Sequence, residues 1–404
     1  MKILVVSPLA PYDTVAHAGG KTHNFYIKRL SEKNEITILT CAQRKEINKI
    51  DLCKYNIDSK IFIIDSAENK KAVIAKIAEL IIYYKYAGYV GSDFRGFILD
   101  EIHKAKENGY SPDCIILDWT QAVILMHDIR KVFRKIRIVA IEQDVSFKGL
   151  KRKVDYEIDL ARKVIKYFQY KRMKRIEIKA VKEADRCFVF SKEDEKLLSN
   201  NGCRENIITI VPYYDMYGRD DIHGEQKTGI LFYGAMNRVE NQISAIWFIE
   251  KVMPELSVEW KFYIVGSDPP TELKKYESDR VIVAGYQKNI TKWFDQSFCF
   301  VAPLLLGAGI KVKILEALSA GIPVLANSIA MEGIYAANTN EYFHCERSED
   351  YINTINYLSE NRAYAYEIGR NGRAFVEKNF NYQKTYEFFE REITSNVYKS
   401  GFPC

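Results

Sequence analysis

A glycine-rich segment followed by two lysines and a glutamate is the part of the sequence best suited to chemistry. It runs from Pro303 to Asn327, PLLLGAGIKVKILEALSAGIPVLAN. Gly307 and Gly309 precede an apolar stretch with helical periodicity, which predicts a helix that begins near Ile310. Backbone N–H groups in the first turn of such a helix can bind an anion, as in other glycine-rich phosphate loops. The segment therefore predicts a phosphate site.

Three charged side chains on this predicted helix match the parts of a nucleotide. Lys311 and Lys313 lie in its first turn, where cations oppose the helix macrodipole and are a poor choice for stability. Their charge suits a doubly negative ligand instead. Glu316 follows in the second turn, where its carboxylate could accept hydrogen bonds from a vicinal diol such as ribose. An ordinary amphipathic helix with solvated lysines explains these residues equally well.

The elements that must position these residues alternate along the chain. Strands are predicted at Lys2–Ser7, Glu35–Cys41, Lys60–Asp65, Cys114–Asp118, Arg137–Glu142, Arg186–Phe190, Ile207–Pro212, Gly229–Tyr233, Lys261–Val265, Val281–Ala284, Cys299–Ala302 and Pro323–Ala326. Stretches of helical length separate most of them, and the chain from Glu349 onward has the pattern of helix only. This β-α-β order is typical of parallel sheets covered by helices on both faces.

The length of 404 residues favours two domains. Strand signals pause over the polar stretch YYDMYGRDDIHGEQK, which indicates a linker. We predict Rossmann-like α/β domains at 1–212 and 229–380, a linker at 213–228, and a C-terminal helix at 381–404 that packs back towards the first domain. Two doubly wound sheets would face each other across a ligand cleft, because each exposes its strand carboxyl ends at a switch point.

Cysteine, histidine and hydropathy patterns exclude several classes of protein. The eight cysteines form no C-x-x-C pair and the six histidines show no metal-ligand spacing, which argues against a disulfide scaffold or a transition-metal centre. No run approaches the roughly 18 uncharged apolar residues of a spanning helix. The first residues, MKILVVSPLAPYD, indicate a buried strand instead of a signal peptide. We therefore expect a cytoplasmic protein.

The pattern G-x-G-I-K-x-K-x-L-E-A-x-x-x-G-x-P-V resembles the signature of retaining glycosyltransferases of family 4 (glycosyl transferases group 1), which adopt the GT-B fold. Three other segments are similar to that family in the same order. They are MKILVVSPLAPYDTVAHAGGKTHNFYIKRLSEKNEITILT, ADRCFVFSKEDEKLL and FYGAMNRVENQISAIWFIEKVMPEL. The likeness covers most of the chain and implies a GT-B arrangement of two Rossmann-like domains.

The resemblance implies roles at a nucleotide-sugar site. Glu316 would bind the ribose hydroxyls, while Lys311 and Lys313 would neutralise the diphosphate and help the leaving group depart. Further donor contacts are implied for Gly19, Gly20, Lys21, Gly234, Arg238, Gly309, Ile310 and Glu332. Gly19 and Gly20 would form a loop that approaches the diphosphate, although an ordinary loop is the plainer interpretation, and Arg238 is as easily a solvated loop residue. No metal or other cofactor is expected, because no D-x-D pair accompanies the phosphate loop.

The chain departs from the family pattern at three places. Ala308 stands where many members have a glutamate that contacts the sugar. Ala235 and Asn241 stand where many have an arginine and a lysine, so the two lysines of the phosphate loop would take over that charge. An N-domain histidine that often follows the fifth strand is replaced by Gln143 and Asp144. The acceptor side is therefore the least defined part of the site.

Acceptor chemistry offers two candidate carboxylates. The usual proposal for retaining enzymes of this kind is front-face attack, in which the leaving phosphate helps to deprotonate the acceptor. Glu142 and Asp144 could orient an acceptor hydroxyl, but polar residues that close a strand are an equally good explanation.

Charge is distributed unevenly along the chain. Residues 1–212 hold 39 Lys and Arg against 28 Asp and Glu, a net +11, and the remainder holds 20 against 25, a net −5. Residues 148–182 contribute thirteen basic and four acidic side chains. A long helix with one apolar stripe is predicted there, formed by Val164, Ile165, Phe168, Met173 and Ile176. Its partner could be anionic lipid or only solvent, and no nucleic-acid recognition motif accompanies it.

The sequence thus predicts a transferase that moves a sugar, with retention, from a nucleotide-diphosphate sugar to a carbohydrate or lipid-linked acceptor. Synthesis of a cell-surface polysaccharide or glycan is the expected setting, in the cytoplasm or on the inner face of the membrane. A GT-B-fold nucleotide-sugar epimerase is the enzymatic alternative, but its acidic and histidine pairs are not found. A degenerate nucleotide-sugar-binding or scaffold protein is the other alternative, which Ala308 keeps open.

Overall fold

The chain divides into two units, each built around one parallel sheet. The structure is a computed structural model that describes residues 1–15, 17–64, 92–203, 206–217 and 227–395. The first unit comprises Met1–Val211 and Tyr382–Cys404, and the second comprises Pro212–Asn381. Residues 218–226 of the predicted linker and 396–404 of the predicted C-terminal helix lie outside the described residues.

A parallel sheet forms the centre of the first unit. Its described strands are β1 (Lys2–Ser7), β2 (Glu35–Gln43), β3 (Ile57–Ile64), β4 (Cys114–Asp118), β5 (Arg137–Glu142), β6 (Arg186–Val189) and β7 (Ile207–Thr209). They lie in the order β3-β2-β1-β4-β5-β6-β7. The order reverses between β1 and β4, where Ile3 pairs with Cys114 and Val6 with Leu117. In open α/β sheets, ligands bind at the strand carboxyl ends beside such a switch point.

Helices surround this sheet. Those described are α1 (Ala18–Ser31), α2 (Ser92–Glu107), α3 (Thr120–Val123), α4 (Met126–Val132), α5 (Ser146–Tyr156), α6 (Leu160–Glu183), α7 (Lys192–Asn200) and, from the C-terminal segment, α14 (Tyr382–Thr394). The core combines β-branched strand residues with apolar helix faces, as in Ile115, Ile98 and Met126, which are fully buried. Burial of both sheet faces explains why β4 is apolar up to its last residue, Asp118.

The second unit repeats the architecture. Its described strands are β8 (Gly229–Tyr233), β9 (Lys261–Val265), β10 (Val281–Gly285), β11 (Ser297–Ala302), β12 (Val324–Ala326) and β13 (Phe343–His344), parallel and in the order β10-β9-β8-β11-β12-β13. Its helices are α8 (Val239–Lys251), α9 (Thr271–Lys274), α10 (Thr291–Gln296), α11 (Val312–Ser319), α12 (Ser348–Glu360) and α13 (Arg362–Asn379). β8 and β11 are neighbours at the switch point, so the loops that follow them lie at the same edge.

The predicted fold class, two doubly wound parallel-sheet units, is confirmed. Most strand limits agree within two residues, but β7 ends at Thr209 and not at Pro212. β13 was not predicted, because two residues carry no periodicity.

The predicted apolar stripe of the long helix is wrong. Met173 is buried in α6, whereas Val164, Ile165 and Phe168 are exposed. The reason is rotational, because Met173 lies on the opposite side of the helix from Val164 at about 100° per residue. Within the part of the chain that is described, no helix combines the length and apolar character needed to cross a bilayer.

The C-terminal helix α14 completes the core of the first unit. Phe389 is fully buried, with its ring centroid 4.9 Å from that of Tyr26 in α1 and 4.9 Å from that of Phe188 in β6. Tyr386 adds an edge contact to Tyr26 at 5.9 Å. Edge-to-face pairs at these distances stabilise beyond the area they bury. This helix therefore covers apolar surface that the first 211 residues leave open.

Replacing Phe389 with Ala should lower the free energy of unfolding by about 3–5 kcal/mol, since a large cavity would open between three elements. Urea unfolding followed by circular dichroism measures this change. Phe388→Ala is the matched control, because Phe388 is only partly buried on the same helix. Equal effects of the two substitutions would contradict the packing described.

Candidate functional site

The glycine-rich loop after β11 prepares the start of α11. Gly309 has a φ of 67°, a left-handed conformation that favours glycine, and Lys311 is the extended N-cap residue of the helix. α11 therefore begins at Val312, two residues later than the predicted start at Ile310, because the left-handed and extended residues cannot be part of a right-handed helix. Ile310 is half-buried in the loop.

Lys311 closes this loop through its side chain. Its ammonium donates a hydrogen bond to the carbonyl oxygen of Gly309 and lies 3.4 Å from Oε2 of Glu332. Both side chains are almost entirely buried. Three predicted site residues, Lys311, Gly309 and Glu332, are thus brought together, and the carboxylate from the loop after β12 holds the lysine beside the backbone turn.

Lys313 extends its ammonium into a buried place with a neutral partner. Nζ donates a 2.8 Å hydrogen bond to Oδ1 of Asn241 and lies 4.5 Å from the centroid of the Phe232 ring. Asn241 is fixed in turn, because its Nδ2 donates to the carbonyl oxygen of Ala235 at 2.8 Å. A Cβ on Gly234 would come within 2.8 Å of this amide nitrogen, so the predicted Gly234 provides the room that Asn241 needs.

Burial lowers the pKa of Lys313 from its ordinary value of 10.5 to about 7, and the nearby charges of Lys311 and Arg238 act in the same direction. Among the residues described, no carboxylate lies within ion-pair distance of this ammonium. The site thus holds a lysine that is only partly charged at neutral pH. An anion placed beside it would restore its charge.

Glu316 lies one turn further along α11 and is buried. Its carboxylate accepts a hydrogen bond from the hydroxyl of Tyr233, at the end of β8. Burial raises the pKa of the Tyr217 phenol, and the charge of the nearby Glu316 raises it further. The carboxylate is therefore set in an aromatic surround at the carboxyl edge of the sheet.

Arg238 is placed differently from the two lysines. It is the N-cap residue of α8, its guanidinium lies 3.9 Å from Glu240, and 57% of its side chain is exposed. Its charge helps to lower the pKa of Lys313, but its exposure is that of a solvated loop residue.

Gly19 and Gly20 do not form the predicted loop, because they are the second and third residues of α1. His17 caps this helix, with Nδ1 accepting from the N–H of Gly20 at 3.0 Å. A Cβ on Gly19 would lie 2.4 Å from the indole of Trp119, which itself has a left-handed φ of 75°. The Trp119 ring packs directly on the helix backbone and leaves no room for a side chain at position 19, which explains the glycine there. Lys21 follows within the same first turn.

Glu142 is a buried carboxyl group at the end of β5. It accepts a hydrogen bond from the hydroxyl of Thr120, which accepts one from Ser146 at 2.9 Å. Burial, followed by the charge of Glu177, raises its pKa well above the ordinary range. Asp144 lies in the turn after β5, and its charge contributes to the same shift. This shift favours the protonated form of the Glu142 carboxyl group, which is the form that can donate a hydrogen bond.

The residues that sequence reasoning missed are His23 and Asp118. Nδ1 of the buried His23 lies 2.6 Å from Oδ2 of Asp118, and Gln143 donates to Oδ1 of the same carboxylate at 2.9 Å. Asp118 ends β4, while His23 lies on the helix that follows β1, so the pair flanks the switch point. The signal was available in the predicted strand order, since a polar residue at a strand carboxyl end beside a switch point marks a ligand edge.

Within the described ranges, no group of three or more His, Cys, Asp or Glu side chains is arranged to hold a metal ion. The prediction that the protein uses no metal remains a prediction.

The second unit carries a recognisable domain. Residues 227–361 match the family described as "Glycosyl transferases group 1". This range includes β8, the glycine-rich loop, α11 and Glu332. A curated relative, the "Uncharacterized 44.6 kDa protein in cps region" of Klebsiella pneumoniae, is 28% identical over 190 residues. That match covers 44% of this chain and 48% of the relative, so it spans about half the length of either protein.

Solved structures resemble the whole chain. Sucrose-phosphate synthase from Thermosynechococcus elongatus matches with a TM-score of 0.70 at 15% identity, over 97% of this chain and 98% of that one. HepE from Anabaena, in complex with UDP-glucose, matches with a TM-score of 0.69 at 13% identity, over 97% and 99%. At these identities the likeness establishes the GT-B fold and leaves the chemistry to the site.

Because Lys313 has a pKa of about 7 in the folded protein and 10.5 ordinarily, the unfolded chain binds a proton between these values that the folded protein does not. Stability should therefore rise with pH across this window. The free energy of unfolding of the wild type, relative to that of Lys313→Met, should rise by about 2 kcal/mol between pH 7 and pH 9. Urea unfolding of both proteins at the two pH values measures this change. Lys274→Met, which removes an exposed lysine of the same unit, is the control. If the free energies of unfolding of wild type and Lys313→Met changed equally with pH, the pKa of Lys313 would not be lowered in the folded protein.

Proposed function

We propose that this protein is a glycosyltransferase that moves a hexosyl unit from a nucleotide-diphosphate sugar to a carbohydrate or lipid-linked acceptor. The observation that carries the proposal is the partly charged, buried Lys313, held beside Lys311 at the switch-point edge of the second sheet. Two cations at this edge are suited to a diphosphate. The match of residues 227–361 to a glycosyltransferase family supports the same reading.

The donor would be held by three parts of the second unit. Lys311 and Lys313 would neutralise the diphosphate, together with N–H groups of the loop around Gly309. Glu316 would accept hydrogen bonds from the ribose hydroxyls, at the position where it now accepts one from Tyr233. Gly234 and Glu332 would line the same place, with Arg238 at its margin.

Catalysis would consist mainly of positioning and stabilisation of charge. When the sugar leaves, negative charge develops on the diphosphate oxygen, and fixed cations aimed at it lower the barrier. An anion also raises the pKa of Lys313, so donor binding would take up a proton near pH 8. We propose transfer with retention by front-face attack, in which a diphosphate oxygen assists removal of the acceptor proton. This assignment rests on the family resemblance of the α11 segment.

The acceptor would meet the polar edge of the first sheet. Asp118 and Glu142 are the last residues of β4 and β5, Asp144 lies in the turn after β5, and His23 lies against Asp118. In its protonated form Glu142 can donate a hydrogen bond to an acceptor oxygen, and a histidine oriented by a carboxylate can accept one from a hydroxyl. For Gly19, Gly20 and Lys21, at the start of α1, we propose the donor contacts that the family resemblance implies.

The setting we propose is polysaccharide or glycan synthesis. The Klebsiella pneumoniae relative is named for the cps region, and HepE was solved with UDP-glucose. These names support a sugar nucleotide and a polysaccharide product for this chain.

A donor panel tests the proposal. UDP-, GDP- and ADP-sugars are incubated with the protein, with and without oligosaccharide or lipid-linked acceptors, and both nucleotide release and the sugar product are followed by NMR. A transferase releases the nucleoside diphosphate in an acceptor-dependent way, and the anomeric coupling of the product shows retention or inversion. An epimerase interconverts the donor without an acceptor, and a scaffold protein binds nucleotide, with a thermal shift, but shows no turnover.

Lys311→Ala should weaken nucleoside diphosphate binding by about 1.5–3 kcal/mol, since one charge-assisted phosphate contact is lost. Isothermal titration with the diphosphate that the panel identifies measures this. Lys274→Ala removes the same charge from an exposed position and should bind normally. Thermal unfolding of both variants separates weakened binding from loss of fold. Unaltered affinity in a folded Lys311→Ala protein would disprove the assignment.

Transfer should continue after EDTA treatment, because lysines and not a divalent cation are proposed to screen the diphosphate. Initial rates are compared with and without chelator, and after Mg²⁺ or Mn²⁺ is added back. A rate that disappears with EDTA and returns with either ion would mean that a metal stabilises the leaving group.

A further inference from the structure

The tip of the α5–α6 hairpin exposes several large apolar side chains. Ile158, in the turn, is 93% exposed, Leu160 is 78% exposed and Phe168 is 67% exposed. Val164 and Ile165 are each more than half exposed. Patches of this kind on a protein surface usually mark a place where another surface binds.

These side chains occupy one side of α6. At about 100° per residue, Leu160, Val164, Ile165, Tyr167 and Phe168 fall within an arc of about 160°. The opposite side of the same turns carries Arg162, Lys163 and Lys166. The first two to three turns of α6 are thus amphipathic, with an exposed apolar side and a basic side.

The apolar side faces away from the body of the first unit. Further along α6, the buried residues are Met173, Glu177, Ala180 and Val181. Extrapolated along the helix, these residues lie in the same angular sector as Arg162, Lys163 and Lys166. The exposed apolar residues therefore lie on a different side of α6 from the residues that pack against the core. Packing within the first unit does not explain why they are apolar.

The hairpin tip is held in a fixed shape. Lys166 donates to Glu157 across the turn, and Asp159 caps α6 by accepting from the N–H of Arg162 at 2.8 Å. A surface that is ordered before it binds loses less conformational entropy on binding. The apolar side chains are therefore presented by a preformed element.

We infer that the α5–α6 tip docks on an anionic lipid bilayer, with Ile158, Leu160, Val164, Ile165 and Phe168 inserted at the headgroup level. Amphipathic helices with Lys and Arg on one side and large apolar residues on the other lie in the interface in this way. The exposed side chains of Lys151, Lys153, Lys171 and Arg172, on the same two helices, add attraction to anionic headgroups. A second copy of the chain fits less well, because two such basic surfaces would repel each other.

This inference deepens the proposed function, since it names the surface on which a lipid-linked acceptor would be met. Its test measures binding and not transfer, so the two can fail separately. A protein that docks but shows no transfer would leave the inference standing, and nucleotide-dependent transfer without docking would leave the proposed function standing.

Flotation of the full chain with vesicles tests the docking. Vesicles of phosphatidylcholine with about 30% phosphatidylglycerol should bind the wild type, and phosphatidylcholine alone should bind it weakly. The triple variant Leu160→Ser, Val164→Ser, Phe168→Ser should bind anionic vesicles at least about tenfold more weakly, since apolar insertion is lost while charge is retained. Val258→Ser, which alters a side chain 81% exposed in the second unit, is the matched control.

Two further measurements separate insertion into lipid from misfolding and from self-association. Tryptophan placed by Phe168→Trp should shift its emission to the blue and be quenched by brominated lipids on anionic vesicles. Circular dichroism and the nucleotide-induced thermal shift should be the same in the triple variant as in wild type, which excludes misfolding. Binding that the triple variant retains in full would overturn the insertion. A wild-type dimer in light scattering that becomes monomeric in the triple variant, with no vesicle binding, would assign the surface to self-association instead.

Discussion

The burial of the Lys313 ammonium is the constraint on which the site of the second unit depends. A cation removed from water needs an acceptor and a polarisable surface, which Asn241 and the Phe232 ring provide. Asn241 in turn requires the amide-to-backbone bond with Ala235 and the missing side chain of Gly234. One ammonium group thus links three elements through its contacts: the end of β8, the start of α8 and the first turns of α11. An arrangement that weakens an unliganded protein is understandable where a ligand supplies the opposite charge.

Much of the fold could be predicted from the sequence because its strands are continuous β-branched runs with polar ends. β1, β4, β5, β8 and β9 have the predicted limits for this reason. β13 could not be predicted, since its two residues become a strand only through pairing with β12. The stripe on α6 was misplaced because the helix changes its apolar side midway, from an exposed arc to the buried side that holds Met173. Composition alone does not distinguish an apolar residue that packs inward from one that does not.

Site residues that lie close together in the sequence could be predicted. Those that only the tertiary structure brings together could not. Gly309, Lys311, Lys313 and Glu316 lie within eight consecutive positions, so their spacing was visible in the sequence. The contact between His23 and Asp118 joins residues 95 positions apart, and only the pairing of β1 with β4 makes it. Gly19 and Gly20 were misread because a glycine pair ordinarily ends a helix, whereas here the Trp119 ring packs against the backbone of α1.

The return of α14 to the first unit makes that unit discontinuous in sequence, and this has a consequence for how the chain is made. Synthesis proceeds from the N-terminus, so β1 to β7 and their helices leave the ribosome before the residues that cover Tyr26 and Phe188 exist. The whole second unit, Pro212–Asn381, is translated in the interval. During that time the first unit carries an uncovered aromatic surface, to which a chaperone or another nascent chain can bind. The first unit is complete only when Tyr26 and Phe389, more than 350 positions apart, come into contact. Contacts of such long sequence separation form slowly because of the entropy of the intervening chain.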